Sequence, residues 1–403
     1  MNQPESARWI ISVDGGGSKI AIAASQLVVG RALPTSLSEV RTWNFAGTGS
    51  AHRSTWDLAQ RNLANALRVV FDNLHDENLD DVVDVGCRTL STTAQVEPTF
   101  ARQSVIHMVV FALAGAGRAT DCERVLVWAR GAESLRKCEH FYCVADIDPL
   151  VDQRSVDVSG PCLAVILGTG SIVASRDQHG HLIRAGGWGP ILGDECSGAA
   201  LGVAALQHAA TWFDSGAPLS DATRLVREVV TELTLGIAVN DDLNMAGFYR
   251  STITGDASPV VLSSSRNDEN AVAETGNISE DRSQLASTMI AVASDRTRAA
   301  RLGLRVVHLA LDAADGLALE VLEVQLIKLA WQVEQVLLRA WGPTSTFHLV
   351  LGGGLVSRHA GLEPALLAAL QARGLTPERT LVADPLLMAI RFALLKAQAG
   401  PAG

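Results

Sequence analysis

Val13-Asp14-Gly15-Gly16-Gly17-Ser18-Lys19 is the stretch on which the reading of this chain turns. It lies between two apolar runs, Trp9 to Val13 and Ile20 to Ala24, too short and too β-branched for helices. Three successive glycines between strands make a turn whose N–H groups can lie against a ligand with no Cβ in the way. The chain then writes the device a second time. Leu163 to Leu167 runs into Gly168-Thr169-Gly170-Ser171, and Ile172 to Ser175 resumes as a strand, with a further strand from His181 to Arg184. Either loop alone reads as an ordinary glycine-rich hairpin. Strand, glycine turn with a hydroxyl, strand, written once per expected domain, suits a polyphosphate held between two lobes.

Working outward, the first copy is followed by a strand at Val40 to Trp43 and the loop Phe45-Ala46-Gly47-Thr48-Gly49-Ser50. Thr55 or Asp57 then caps a helix with apolar spacing Leu58, Leu63, Leu67, Val70. Ser104 to Ala114 reads as a buried strand, and Asp121 to Arg130 as a helix. Phe141 to Ala145 is a β-rich run that ends in Asp146-Ile147-Asp148-Pro149, and a carboxylate at the exit of a buried strand is where open α/β sheets place their chemistry.

After the second copy comes Gly186-Gly187-Trp188-Gly189-Pro190-Ile191-Leu192-Gly193-Asp194-Glu195-Cys196-Ser197-Gly198, whose glycine density points to close backbone approach to a ligand. Residues 251–284 are polar and aperiodic and read as a surface insertion, with long helices resuming at Leu285. Leu317 to Trp341 carries a clean apolar stripe. Strand Phe347 to Leu351 meets Gly352-Gly353-Gly354, a third junction of strand and glycines. Helices at Glu363 to Arg373 and Pro385 to Ala397 follow.

Composition narrows the class. The 403 residues are 48% hydrophobic with a net charge of −10, enough apolar material for two domains and the wrong sign for a nucleic-acid or anionic-membrane partner. Only four lysines occur, and none sits in a P-loop pattern. The six cysteines show no Cys-x-x-Cys, which reads as a reducing, cytoplasmic setting. Met1 to Arg8 lacks an apolar signal core, and Val105 to Ala116 is too short to span a bilayer.

Asp14-Gly-Gly-Gly-Ser, Gly168-Thr-Gly-Ser, Gly186-Gly-Trp-Gly-x-x-Leu-Gly-Asp-Glu and Gly352-Gly-Gly together resemble the N-acetylglucosamine kinases. These group with the BadF/BadG/BcrA/BcrD ATPases in the sugar kinase/Hsp70/actin superfamily. The resemblance runs from Ile10 to Leu395. It implies an α/β fold of two ribonuclease H-like, actin-like ATPase lobes, residues 1–155 and 156–403, with a nucleotide cleft between them. It also implies ATP and Mg²⁺, an amino sugar as acceptor, and no nucleic-acid or membrane partner, with a homodimer left open.

Carried over by motif, Asp14 lies near Mg²⁺, and Gly15, Gly16, Gly17 and Ser18 form the first phosphate loop. Gly168, Thr169, Gly170 and Ser171 form the second, and Gly352 and Gly353 lie beside the adenosine. Asp146 aligns best with the catalytic base, two residues from a second carboxylate, Asp148. Ser50, Gly187, Trp188, Gly189 and Asp194 match sugar-binding positions. Departures from the pattern are Ser18 for Thr, Ser50 for Asn, Cys196 for Gly, and Leu-Leu-Met after Pro385. Glucosamine and N-acetylmuramic acid stay open as acceptors. A dehydratase-activating ATPase and a sugar-binding regulator stand as rival readings.

Overall fold

Strands β1 (Arg8–Gly15) and β2 (Lys19–Gln26) form the hairpin that the first glycine run demands, antiparallel with Asp14 opposite Ala21. Both are buried on both faces along most of their length, so their sequence shows apolar runs rather than alternation. The computed structural model describes residues 8–16, 19–28, 32–46, 49–52, 55–74, 83–84, 105–136, 138–217, 219–237, 278–344 and 346–399.

The hairpin grows into a six-stranded sheet. Strand β3 (Arg41–Ala46) lies antiparallel to β2, with the short β4 (Val83–Asp84) at the edge. On the other side of β1, strands β5 (Val105–Leu113) and β6 (Cys138–Ala145) run parallel to it, giving the order β4-β3-β2-β1-β5-β6. Helices α1 (Trp56–Asn73) and α2 (Ala119–Gly131) cover one face through Leu63, Leu67, Val70, Val125 and Ala129.

Two short helices, α3 (Asp148–Val151) and α4 (Gln153–Val156), lead to a second sheet. Its strands are β7 (Cys162–Leu167), β8 (Ser171–Arg176), β9 (Leu182–Gly186), β10 (Thr346–Gly352) and β11 (Thr376–Val382). The order is β11-β10-β7-β8-β9, with β7, β8 and β9 antiparallel and β7, β10 and β11 parallel. Read from β9, this repeats the order and directions of β3-β2-β1-β5-β6. The duplication glimpsed in two glycine turns therefore extends to whole sheets, and the architecture is two ribonuclease H-like lobes.

Helices α5 (Gly198–Ser215), α6 (Arg224–Ile237), α7 (Ile278–Ser294), α8 (Arg296–Leu311) and α9 (Gly316–Trp341) build the large core behind the second sheet. Helices α10 (Gly354–Arg358) and α11 (Leu362–Gln371) complete that side. Helices α5 and α8 touch backbone to backbone: a Cβ on Gly202 would overlap the Ala299 carbonyl, and one on Gly303 the Gly198 carbonyl. Helix α7 begins at Ile278, which corrects the C-terminal end of the polar insertion, because residues 278–284 are helical. A charged, aperiodic first stretch looks like loop by composition alone. Residues 251–277 lie outside the described residues.

Helix α12 (Pro385–Ala399) lies against both sheets. Leu386, Ile390, Phe392 and Leu394 pack on Ile10, Ala21, Ala23, Met108 and Val110 of the first. Met388 joins Ile147, Leu150, Ala164 and Val350 over the second. Among the described residues no helix is long and apolar enough to cross a membrane.

Candidate functional site

The first glycine turn is pinned from outside. Gly49 N–H donates to Gly16 O at 3.0 Å, and Ala114 N–H to Gly15 O at 2.8 Å. A Cβ on Gly15 would meet Leu113 Cδ2 at 2.5 Å and Gly49 O at 2.8 Å, so only glycine lets residues 49–52 cross there. Gly17 and Ser18 lie outside the described residues. Asp14, at the end of β1, is 9% exposed, and its carboxyl is pushed up to about 7. Burial is the largest cause; Lys19 pulls the other way, while Asp146 and Asp384 push further up.

Asp146 follows the last residue of β6, and burial pushes its carboxyl up to about 6 against an N–H bond from Ile147. Asp148, two residues on, is committed elsewhere. Its Oδ2 accepts from Ala145 N–H at 2.9 Å, and its Oδ1 pairs with Arg176 of β8. Burial raises its carboxyl, with Arg176 and the Ala145 amide opposing. The two neighbouring carboxylates thus differ: one ties the end of β6 to the other sheet, and the other remains beside Asp14. Asp384, between β11 and α12, caps that helix with Oδ1 on Leu386 N–H (2.8 Å) and Leu387 N–H (3.2 Å). Its charge acts on Asp14.

The second turn is built to turn its carbonyls inward. Gly168 O accepts from Gly198 N–H (2.8 Å), Thr169 O from Ala199 N–H (3.2 Å) and Gly170 O from Gly168 N–H (2.9 Å). Among the described residues, the N–H groups of Thr169 and Gly170 make no hydrogen bond. A turn with carbonyls occupied and successive amides unbonded has donors to offer an anion. Ser171 is buried, and its hydroxyl donates to Glu195 O at 2.8 Å, bracing the turn against the Trp188 loop. Gly353, at φ 101°, lies so close to Leu167 that a Cβ would overlap its carbonyl, and a Cβ on Gly352 would meet Leu150 Cδ2 at 2.6 Å. The third glycine junction therefore packs directly on the strand that leads into the second turn.

The loop from Gly186 to Gly193 stands out from β9. Gly187 and Gly189 take positive φ, 71° and 88°, and Trp188 is 72% exposed, with Ile191 and Leu192 also exposed. Asp194 anchors the loop: it is 2% exposed, Oδ1 accepts from Gly189 N–H at 2.9 Å, and Oδ2 pairs with Arg296 at 3.1 Å. Glu195 bonds to Gln332 of α9. Ser50 is buried, giving its proton to Ala114 O (2.9 Å) and accepting from His52 N–H (3.2 Å).

Sequence reasoning did not single out Arg296, Asp384 or Gln332. Asp384 had a local signal, an Asp before a Pro that opens a helix. Arg296 had none, because only the fold brings residue 296 to residue 170. Two other clusters lie apart. His107, Glu139 and His140 sit at the opposite ends of β5 and β6 from Asp146, with Arg8 already 3.9 Å from Glu139. In the second, Gly361 N–H donates to His359 Nδ1, so the neutral ring turns a proton, not a lone pair, toward Asp312.

The duplicated sheets and the paired glycine turns define an actin-like ATPase fold. No family model matches the chain. It is 48% identical over 52 residues to the N-acetylmuramic acid/N-acetylglucosamine kinase of Clostridium acetobutylicum, a match covering 13% of the chain and 17% of that protein. It is 23% identical over 225 residues to the N-acetyl-D-glucosamine kinase of Dictyostelium discoideum, 55% of the chain and 60% of that protein. Both matches span less than two thirds of the relative's own length. Among solved structures, a protein of Chromobacterium violaceum assigned as an N-acetylglucosamine kinase superposes with a TM-score of 0.52 at 18% identity, covering 96% of this chain and 99% of that one.

Proposed function

We propose that the chain is an ATP-dependent sugar kinase that transfers the γ-phosphate to the 6-hydroxyl of an amino sugar, N-acetylglucosamine first. The observation that carries this reading is the placement of Asp14 and Asp146 at the same ends of parallel strands β1 and β6 of one sheet, with Asp14 at the first glycine turn and near enough for the Asp146 charge to act on it. The names of both relatives and of the structural neighbour point the same way. The membership in the BadF/BadG/BcrA/BcrD group suggested by the motifs belongs to this proposal, as do the lobe limits 1–155 and 156–403.

In this reading Asp146 takes the proton of the sugar hydroxyl as it attacks the γ-phosphate. A carboxylate with a pKa near 6 is deprotonated at neutral pH and more basic than an ordinary one. The unbonded amides of Thr169 and Gly170 hold phosphate, and Gly352 and Gly353, packed on Leu150 and the end of β7, set the backbone that lies beside the adenosine. The Trp188 loop closes over the sugar and keeps water from the phosphoryl group. Asp14 suits Mg²⁺: it is a hard oxygen donor whose charge other carboxylates oppose. A bound Mg²⁺ would neutralise phosphate charge there.

N-acetylmuramic acid is the second acceptor, favoured by the 52-residue match to a kinase named for both sugars. A coupled assay of ATP consumption with N-acetylglucosamine, N-acetylmuramic acid, glucosamine and glucose tests the proposal. No stimulation above the sugar-free rate by any of them sinks it.

A further inference from the structure

We propose that Arg296 is a phosphate-contacting residue, delivered to the second glycine turn by the start of α8 and held there by Asp194. The inference rests on the nucleotide reading above and adds a side chain that no motif supplied. Three observations carry it. First, a Cβ placed on Gly170 would lie 2.8 Å from Arg296 Nη2 and 2.8 Å from Asp194 Oδ2, so the guanidinium lies directly over the turn. Second, the turn's carbonyls are occupied while the N–H groups of Thr169 and Gly170 make no hydrogen bond among the described residues, so an anion seated on them would meet the guanidinium as well. Third, the side chain is 53% exposed although Asp194 is almost wholly buried, and among the described residues its hydrogen bond is the one from Nη2 to Asp194 Oδ2.

A guanidinium has five N–H donors in a planar fork. One goes to Asp194, which fixes the head, and the rest stay available for a phosphate, the partner that arginine engages bidentately. An arginine needed only to neutralise Asp194 would be expected to sit buried with it. Here the carboxylate is inside and the fork reaches out over the turn. The same glycine at 170 that opens the turn to phosphate is what admits the guanidinium. Arg296 thus confers preference for a polyphosphate over a monophosphate nucleotide.

The test compares Arg296→Ala and Arg296→Lys with wild type, reading KM for ATP and for sugar separately and titrating ATP, ADP and AMP by calorimetry. The expected result for Arg296→Ala is a rise of about ten- to a hundredfold in KM for ATP, the usual size of a lost charge-assisted contact. KM for sugar should stay within about threefold, and Lys should restore part of the loss. A second measurement keeps wild type intact: phenylglyoxal labelling of Arg296, followed by peptide mass, should be blocked by ATP and not by AMP. Unchanged ATP affinity, or a rise confined to sugar KM, assigns Arg296 to holding the Trp188 loop and overturns the inference alone. Wild-type protein that binds no nucleotide overturns the nucleotide reading with it.

Discussion

Replacing Asp14 by Asn should stabilise the metal-free protein, and do so more as pH rises. The carboxyl ionises at 3.8 in an unfolded chain and at about 7 in the fold, where it is 9% exposed. Its folded pKa is raised, so the folded state holds the proton that the unfolded state gives up between those values. The stabilising contribution is full below 3.8 and is lost as pH rises through about 7. Three pKa units correspond to about 4 kcal/mol of opposition to folding once both states are ionised. Asn keeps the shape without the charge and removes that opposition. Between pH 5 and pH 8 the stability gap between Asp14→Asn and wild type should widen by roughly 2–3 kcal/mol. At about 2 cal/mol/K of unfolding entropy per residue, that is roughly 3 °C if the whole chain melts as one unit, and about twice that if one lobe melts alone. Thermal melts of both proteins in EDTA from pH 5 to pH 8 measure it. A gap that stays flat or narrows with rising pH refutes the reasoning. Millimolar Mg²⁺ should raise the wild-type melt and leave the variant where it was.

Asp146→Asn should lower kcat by about 10²–10⁴-fold with its melting temperature held, while Asp148→Asn keeps kcat within about tenfold. A dead Asp148→Asn beside an active Asp146→Asn would reverse the two roles. Asp148→Ala, which strips partners from Ala145 N–H and Arg176, should cost about 2–4 kcal/mol of stability, read by urea unfolding. The acid limb of kcat/KM should follow one group near 6, falling as pH drops because the base is then protonated, and that limb should vanish from the residual rate of Asp146→Asn. Gly202→Ala should cost about 3 kcal/mol, since the new methyl overlaps a backbone carbonyl rather than a movable side chain; a melt within about a degree of wild type contradicts the backbone contact.

Much of the fold was legible because its strands are short apolar runs that end in glycine turns. Strands β1, β2, β7, β8 and β10 emerge at nearly their observed limits, as does helix α9, whose stripe is long and regular. Strand β11 escaped notice for a physical reason. It is an edge strand reading Thr376-Pro-Glu-Arg-Thr-Leu-Val, with the proline and charges that protect an edge and hide its period. At the site, backbone features were readable and side-chain alliances were not. Asp146 and Asp148 are indistinguishable by type and lie two apart; what separates them is Arg176, which reaches Asp148 from another sheet. Arg296 stands 102 positions along the chain from Asp194, and only the closed fold brings the two together.

The seating of helix α12 on the first sheet has a consequence for synthesis. Strands β1 to β6 are all synthesised by Ala145, yet the face made by Ile10, Ala21, Ala23, Met108 and Val110, which Leu33, Leu37 and Val40 flank, receives its buried partners Leu386, Ile390, Phe392 and Leu394 only from α12. At the usual 5–20 residues per second, the 240 residues from Asp146 through Pro385 (385 − 145) take on the order of ten to fifty seconds to translate. During that interval the nascent first lobe presents an incompletely covered apolar sheet to the cell. The second lobe, whose large core draws on segments from β7 to α11, can consolidate before the first is closed. Ribosome-bound chains stopped short of Pro385 are therefore natural clients for holdase chaperones, and release of α12 is the event that ends that dependence.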